Sequence, residues 1–276
     1  MSKVWFITGT SRGFGREWAI SALERGDKVA AAARDISTLD DLVERYSEAI
    51  LPVVLDVKDR AADFAAVERA YDHFGRLDVV VNNAGYGHFG FAEETTEDEV
   101  REQIETNLFG AIWISQAALP FLRKQGHGHI IQMSSIGGIT SYPRLSIYNA
   151  SKWGLEGFSQ SLAEEIADFG IHVTLVEPGG FATDWSGSSA KHSNDKDEYA
   201  DVLAKIIAAR PSRQGVLGDP KASARAILKV VDADVPPLRV IFGEATLTTA
   251  KRAMESRLLL WDEWSAVSIE AQGHAS

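Results

Sequence analysis

Four stretches of the chain are apolar without alternation: Val4-Trp5-Phe6-Ile7, Val79-Val80-Val81, Ile130-Ile131-Gln132-Met133 and Val173-Thr174-Leu175-Val176. A fifth, Val29 to Ala33, is built of smaller residues. Unbroken apolar runs suit strands covered on both faces, as in a parallel sheet. Between them, apolar positions recur at helical spacing and carry start signals, such as Thr96 followed by Glu99, the spacing of a capping box. This alternation predicts an α/β fold with three layers, a doubly wound parallel sheet of about seven strands with helices on both faces.

No repeat and no linker interrupts the first 183 residues, so 1–276 reads as one domain with a nucleotide-binding and catalytic core at 1–183. After Thr183 the texture changes. Residues 186–197 (SGSSAKHSNDKD) are polar and small, which predicts a mobile loop within a lid region at 184–219. Asp219-Pro220 then offers an N-cap followed by proline at the first helical position. A last strand near Leu238–Phe242 and a helix from about Glu244 to Trp264 complete the 220–276 region.

Composition narrows the chemistry. Hydrophobic residues make up 45% of the 276, enough for a large core, and there is no cysteine for a disulfide, thiolate metal site or thiol nucleophile. A net charge of −11 argues against binding nucleic acid, and any polyphosphate must be neutralised by named residues. The opening MSKVWFITG lacks a basic region followed by a long apolar stretch, and no run approaches the ~20 residues of a membrane helix. A cytoplasmic protein with no membrane contact and no metal is expected.

The first strand runs into Thr8-Gly9-Thr10-Ser11-Arg12-Gly13-Phe14-Gly15 and then a helix. A glycine-rich turn at a strand–helix junction lets backbone N–H groups approach phosphate. At the tip of the second strand Ala33 is followed by Arg34, and with Arg12 this gives two guanidiniums for a 2′-phosphate, favouring NADP(H). Asp35 competes as a ribose ligand that would favour NAD, unless it starts a turn before Thr38.

Tyr148 and Lys152 are four apart, on one helix face. A lysine ammonium about 4 Å from a phenol contributes roughly 4 kcal/mol at an effective dielectric of 20, enough to lower its pKa by about three units. Ser135 follows the Ile130–Met133 strand at the edge where open α/β sheets bind ligands, with Ser134 equally placed. Asn107 falls inside the apolar helical stripe Val100, Ile104, Ala111, Ile114, Ala118, where a buried amide must be bonded. It marks either an interhelical bond or a break in the helix that admits water toward Lys152.

Together, Thr8-Gly9-x-x-x-Gly13-x-Gly15, Asn82-Asn83-Ala84-Gly85, Asn107, Ser135, Tyr148-x-x-x-Lys152 and Pro178-Gly179 resemble the shorter, single-domain branch of the short-chain dehydrogenase/reductase family. The likeness covers residues 3–183. The C-terminal third is weakly similar to the 17β-hydroxysteroid and retinol dehydrogenase group. The resemblance implies a Rossmann fold and a carbonyl reductase or alcohol dehydrogenase with Tyr148 as acid/base. Lys152 would be its activator and a ribose ligand, Ser135 the carbonyl anchor and Asn107 the organiser of a proton relay. It implies that Gly9, Ser11, Arg12, Gly13, Phe14, Gly15, Arg34, Asp56, Val57, Asn83, Ala84 and Gly85 serve the nucleotide, with Pro178, Gly179, Phe181 and Thr183 along the nicotinamide. Gly180 departs from the pattern and predicts a loop of unusual flexibility. An epimerase or dehydratase, or a non-catalytic NADP-binding regulator, would use the same fold.

Phe89, Phe91, Tyr142, Phe181 and Trp185 follow strand ends and predict an apolar pocket with Ser135, for a bulky uncharged carbonyl or alcohol substrate. In the Lys152 helix, Leu155, Phe158, Leu162 and Ile166 form a core face. Ala150, Gly154, Gly157 and Ser161 form a small-residue face through which a homo-oligomer, a dimer before a tetramer, is expected.

Overall fold

The computed structural model describes residues 2–209 and 217–273, so the part of the 184–219 lid region at 210–216 lies outside the described residues. Seven parallel strands form one sheet: β1 (Val4–Thr8), β2 (Lys28–Ala33), β3 (Ile50–Val54), β4 (Val79–Asn82), β6 (Gly128–Met133), β7 (Ile171–Pro178) and β9 (Arg239–Phe242). Their order is β3-β2-β1-β4-β6-β7-β9. A small second sheet pairs β5 (His88–Phe89) with β8 (Lys191–His192).

Each apolar strand feeds two cores, because successive side chains point to opposite faces. Val4 and Phe6 of β1 enter one core with Val80 and Ile130. Trp5 and Ile7 enter the other with Val79, Val81 and Ile131. The first core is closed by α3 (Arg60–Phe74), α5 (Gly110–Gln125) and α6 (Ser146–Ile166), through residues such as Val67, Ile114 and Leu162. The second is closed by α1 (Gly13–Glu24), α2 (Asp40–Tyr46) and α8 (Pro220–Val231), through Trp18, Leu42 and Ile227.

The start signals act as read. Thr96 and Glu99 form a full capping box on α4 (Glu97–Ile104). Asp219 accepts from Lys221 N with Pro220 opening α8. The helix expected from Glu244 is α9 (Glu244–Glu263), followed by α10 (Ser265–Gln272). No described helix is long and apolar enough to cross a membrane.

Three features depart from the sequence reading. β3 was not among the strands read from the sequence; it carries Pro52, which lacks a ladder donor, and it lies at the edge of the sheet, where that loss is tolerated. The 186–197 stretch is not a structureless loop. It forms β8, and a 3-10 turn at Asp197–Tyr199 leads into α7 (Ala200–Ala209). Its polar side chains find charged partners instead of a core: Lys191–Glu102 at 2.5 Å, Arg144–Asp195 at 2.7 Å and Lys196–Glu93 at 3.0 Å. The Gly180 loop is likewise clamped, with Gly218 N donating to Gly180 O (2.9 Å) and Ala182 N to Gly218 O (2.9 Å).

Candidate active site

β1 lies between β2 and β4, where the direction of winding reverses and the carboxyl ends of the strands open a crevice. The glycine-rich turn lies there. Gly9 and Gly13 have φ of +70° and +61°, left-handed values that favour glycine. A Cβ on Gly15 would collide with the Gly9 carbonyl and stand 2.5 Å from Asn83 Nδ2. Asn83 locks the turn by donating to the Thr8 and Gly9 carbonyls (2.9 and 3.0 Å), and Asn83 N and Ala84 N both donate to Thr8 Oγ1 at 3.0 Å. α1 starts with no side-chain cap and no acidic residue in its first turn. An N-terminus so arranged suits polyphosphate, and the close-packed glycines fit a nucleotide laid against the backbone.

The charges at the far end of this cradle are already sorted. Asp35 accepts from Ser37 N (3.0 Å) and Ser37 Oγ (2.7 Å), so it caps the 3-10 turn Ile36–Leu39, and these bonds hold its carboxyl below the usual range. Arg34 is exposed and makes no ion pair among the described residues. Arg12 is not free as expected. It donates to Ser188 Oγ (2.9 Å) and lies 3.8 Å from Asp184. Asp56 accepts from Lys58 N, while the Val57 side chain is buried against Gly110, leaving Val57 only backbone to offer a ligand.

The four chemical residues converge across the crevice. Tyr148, Ser135, Lys152 and Asn107 are all buried. Ser135 lies beside Tyr148, both bordering Gly137, and accepts from Gly137 N at 3.0 Å. Ser134, its rival, is turned away and bonded to Glu156. Lys152 Nζ donates to Met133 O (2.7 Å) and stands 5.9 Å from the centre of the Tyr148 ring. The expected lowering of the phenol by Lys152 is therefore not what this structure holds. Burial pushes Tyr148 up to about 12, against which the Ser135 hydroxyl lowers it, and burial pushes Lys152 down to about 8. Each charged form loses solvation, and the separation weakens their mutual support.

The helix does break at Asn107. Residues Glu105–Phe109 form a π-helical turn between α4 and α5. Asn107 Nδ2 donates to Tyr86 O (3.0 Å) and Ser151 Oγ (3.3 Å), and Oδ1 accepts from Tyr86 N (3.1 Å). Gly85 lets Asn107 pack closely against the backbone, since a Cβ there would be 3.0 Å from Asn107 Oδ1 and 3.8 Å from Lys152 Nζ.

The aromatic set divides. Trp185 packs on Tyr148 (ring centroids 5.0 Å) and Phe89 (5.5 Å), and lies flat on Gly87, where a Cβ would stand 2.6 Å from the indole. Phe91 instead stacks on Tyr199 at 4.4 Å. Phe181 packs on Phe14 at 5.0 Å as part of the second core, and Tyr142 is 40% exposed. Thr183 caps the turn that carries Trp185 and approaches Gly13. Pro178 ends β7, and Gly179 is pressed against Thr246, which leaves no room for a side chain.

The sequence reading missed a buried carboxylate cluster behind the site. Glu156 holds Ser134, pairs with Arg239 at 2.9 Å, and lies against Glu177. Burial and the Glu156 carboxylate push Glu177 up to about 8. Glu156 is one turn beyond Lys152, so helical spacing alone could have found it.

Residues 3–194 match the family model described as short chain dehydrogenase. The chain is 42% identical to oxidoreductase BOA17 of Botryotinia fuckeliana (strain B05.10), over 98% of this chain and 99% of the relative. It is similar to the crystal structure of a short-chain dehydrogenase from Streptomyces avermitilis, with a TM-score of 0.90, 36% identity and 98% of each chain covered. An alcohol dehydrogenase from the archaeon Thermococcus sibiricus, complexed with 5-hydroxy-NADP, aligns at a TM-score of 0.74 and 26% identity over 88% of this chain and 96% of that one. With the cradle and the Ser135–Tyr148–Lys152 arrangement in the same crevice, the chain belongs to the short-chain dehydrogenase/reductase family of oxidoreductases.

Proposed function

We propose that this protein interconverts a bulky, uncharged ketone or aldehyde and its alcohol, using NADP(H), with Tyr148 as general acid/base. The observation that carries the reading is the buried Ser135–Tyr148 hydroxyl pair at the mouth of the glycine-rich cradle. A bound nicotinamide would supply or accept the hydride. Gly9, Ser11, Gly13, Phe14, Gly15, Asn83 and Ala84 would hold the dinucleotide, with Asp56, Val57, Pro178, Gly179, Phe181 and Thr183 along its length.

Ser135 Oγ takes the Gly137 N–H, so its own proton is free for a carbonyl oxygen or the Tyr148 oxygen. Tyr148, near 12, is protonated at neutral pH and gives its proton to the developing alkoxide. Lys152, near 8, is mostly cationic at pH 7 and favours the phenolate that remains. Asn107, in the π-helical break, and Lys152 approach each other at Gly85, and the proton would be replaced along this side of the site.

Phe89 and Trp185 give the substrate side an apolar wall against Tyr148. The segment that carries Trp185 is latched by exposed ion pairs, each contributing only about 0–1 kcal/mol, so it can open and close as a lid. Consumption of NADPH with matched ketones, with and without a carboxylate, tests the reading. The highest kcat/KM is expected for the large uncharged members; a preference for small polyhydroxylated or anionic ones would refute the apolar pocket.

Cofactor choice rests on Arg34, because Asp35 is committed to its turn. NADPH is expected to bind at least about tenfold tighter than NADH, roughly 1.4 kcal/mol. In Arg34→Ala, calorimetric titration should show NADPH weakened to the level of NADH and NADH nearly unchanged. Tighter NADH binding by the parent protein would assign the ribose to Asp35.

A further inference from the structure

Two carboxylates are buried against a single guanidinium behind the reacting groups. Glu156 on α6 and Glu177 near the end of β7 both face Arg239 of β9, whose Nε lies 2.9 Å from Glu156 Oε2 and 3.5 Å from Glu177 Oε1. A carboxylate withdrawn from water needs donors if it is to stay an anion. Glu156 has them, accepting from Arg239 Nε and from the Ser134 hydroxyl. Glu177 Oε1 has no hydrogen-bond partner among the described residues, and burial together with the Glu156 carboxylate pushes Glu177 up to about 8. At neutral pH the pair therefore carries close to a single negative charge, and Glu156 holds it. A mere tie between α6 and β9 would need Arg239 and one carboxylate, without the cost of burying the other.

The contacts of Glu156 lead into the site along two lines. Ser134 lies between Met133, whose carbonyl takes the Lys152 ammonium (2.7 Å), and Ser135, which stands beside Tyr148. Holding Ser134 by its hydroxyl thus holds the acceptor of Lys152 and the backbone of Ser135 together. Gly138 lets the turn at Ile136–Gly138 close on this contact, since a Cβ there would stand 2.7 Å from Ser134 Oγ and 3.0 Å from Glu156 Cγ. The second line is charge. Glu156 follows Lys152 by one helical turn on the same face, and its carboxylate raises the ammonium that burial lowers. The other groups around Lys152 are uncharged at neutral pH: the Tyr148 phenol on α6, the Met133 carbonyl of β6 and the Asn107 amide across Gly85.

We propose that Glu156 is a positioning residue for the reaction, keeping Lys152 cationic through its charge and Ser135 in place through Ser134, a role that rests on those proposed above for Lys152 and Ser135.

Two readouts on the NADPH-saturated protein test it: NMR titration of isotope-labelled lysine side chains, with Lys152→Arg assigning the Lys152 signal, and kcat for ketone reduction against pH. In E156Q/E177Q neither carboxylate can take over the charge. The Lys152 midpoint and the upper limb of kcat, both near 8 in the parent, are expected about one pH unit lower in that variant. Glu156→Asp keeps the charge on a shorter arm that gives up Ser134, so both midpoints stay while kcat falls about tenfold or more. It decides the matter by itself if the double variant fails to bind NADPH. An unmoved Lys152 midpoint in E156Q/E177Q overturns the proposal, and a parental limb near 8 then leaves Tyr148 and Lys152 in their roles. An aspartate variant with parental kcat overturns it as well. A Lys152 midpoint that moves without the kcat limb, or a parent with no limb there, overturns the role of Lys152 itself, and that of Glu156 falls with it.

Discussion

Tyr148→Phe is expected to lower turnover by 10²–10⁴-fold, the usual worth of positioned acid–base catalysis, while nucleotide affinity stays within about twofold. The substitution removes one hydroxyl from a fully packed site and leaves the ring on Trp185 and Ser135 within reach of a carbonyl oxygen. The pH dependence separates a proton donor from a mere contact. Lys152, lowered to about 8, loses its charge as pH rises through that value, so kcat for reduction should fall above about pH 8. The residual rate of Tyr148→Phe should lack this limb. A variant retaining more than about a tenth of the parental kcat would remove Tyr148 from the role.

The second large effect lies outside the site. Asp63 on α3 is fully buried, and neither carboxylate oxygen has a partner among the described residues. Burial first, then the neighbouring Asp59 and Asp56, push its carboxyl up to about 8 from an unfolded value of 3.8. The native protein therefore keeps a proton that the unfolded chain releases, and stability falls as pH rises from about 4 to about 8. The full difference is at most about 6 kcal/mol. Asp63→Asn cannot ionise, so its melting temperature should match the parent near pH 4.5 and exceed it by several degrees at pH 8.5. An asparagine variant less stable than the parent at both pH values would show that the carboxyl is engaged as an anion.

How much of this was legible in the sequence follows from which contacts are local. β1, β4, β6 and β7 announced themselves because both of their faces are almost wholly buried, leaving few polar positions to confuse the pattern. β3 was hidden by Pro52, whose meaning depends on knowing that the strand is an edge. The segment after Thr183 was misread because composition reports only whether residues can form an apolar core. Its partners, Glu93, Glu102 and Arg144, lie far away along the chain. In the site, Ser135, Tyr148, Lys152 and Asn107 were visible by type and spacing, but the amide on an apolar stripe left an interhelical bond and a helix break equally open, and the structure shows the break. The separation of Lys152 from the phenol was not visible, because helical spacing does not reveal that Met133 O captures the ammonium. Arg239 reaches Glu156 and Glu177 only through the pairing of β9 with β7, which no local pattern encodes.

Pro52 also bears on how the protein survives at high concentration. β3 is an outer strand of the sheet, with Val54 62% exposed at its end. An edge strand rich in Ile, Leu and Val is a template onto which a strand of another molecule can add, the first step of edge-to-edge aggregation. A proline at the middle of β3 cannot donate a main-chain hydrogen bond, so any continuous ladder built outward from this edge is interrupted there. The residue that obscured the strand in the sequence thus acts as a gatekeeper, preserving solubility at the cost of one bond the native fold does not use.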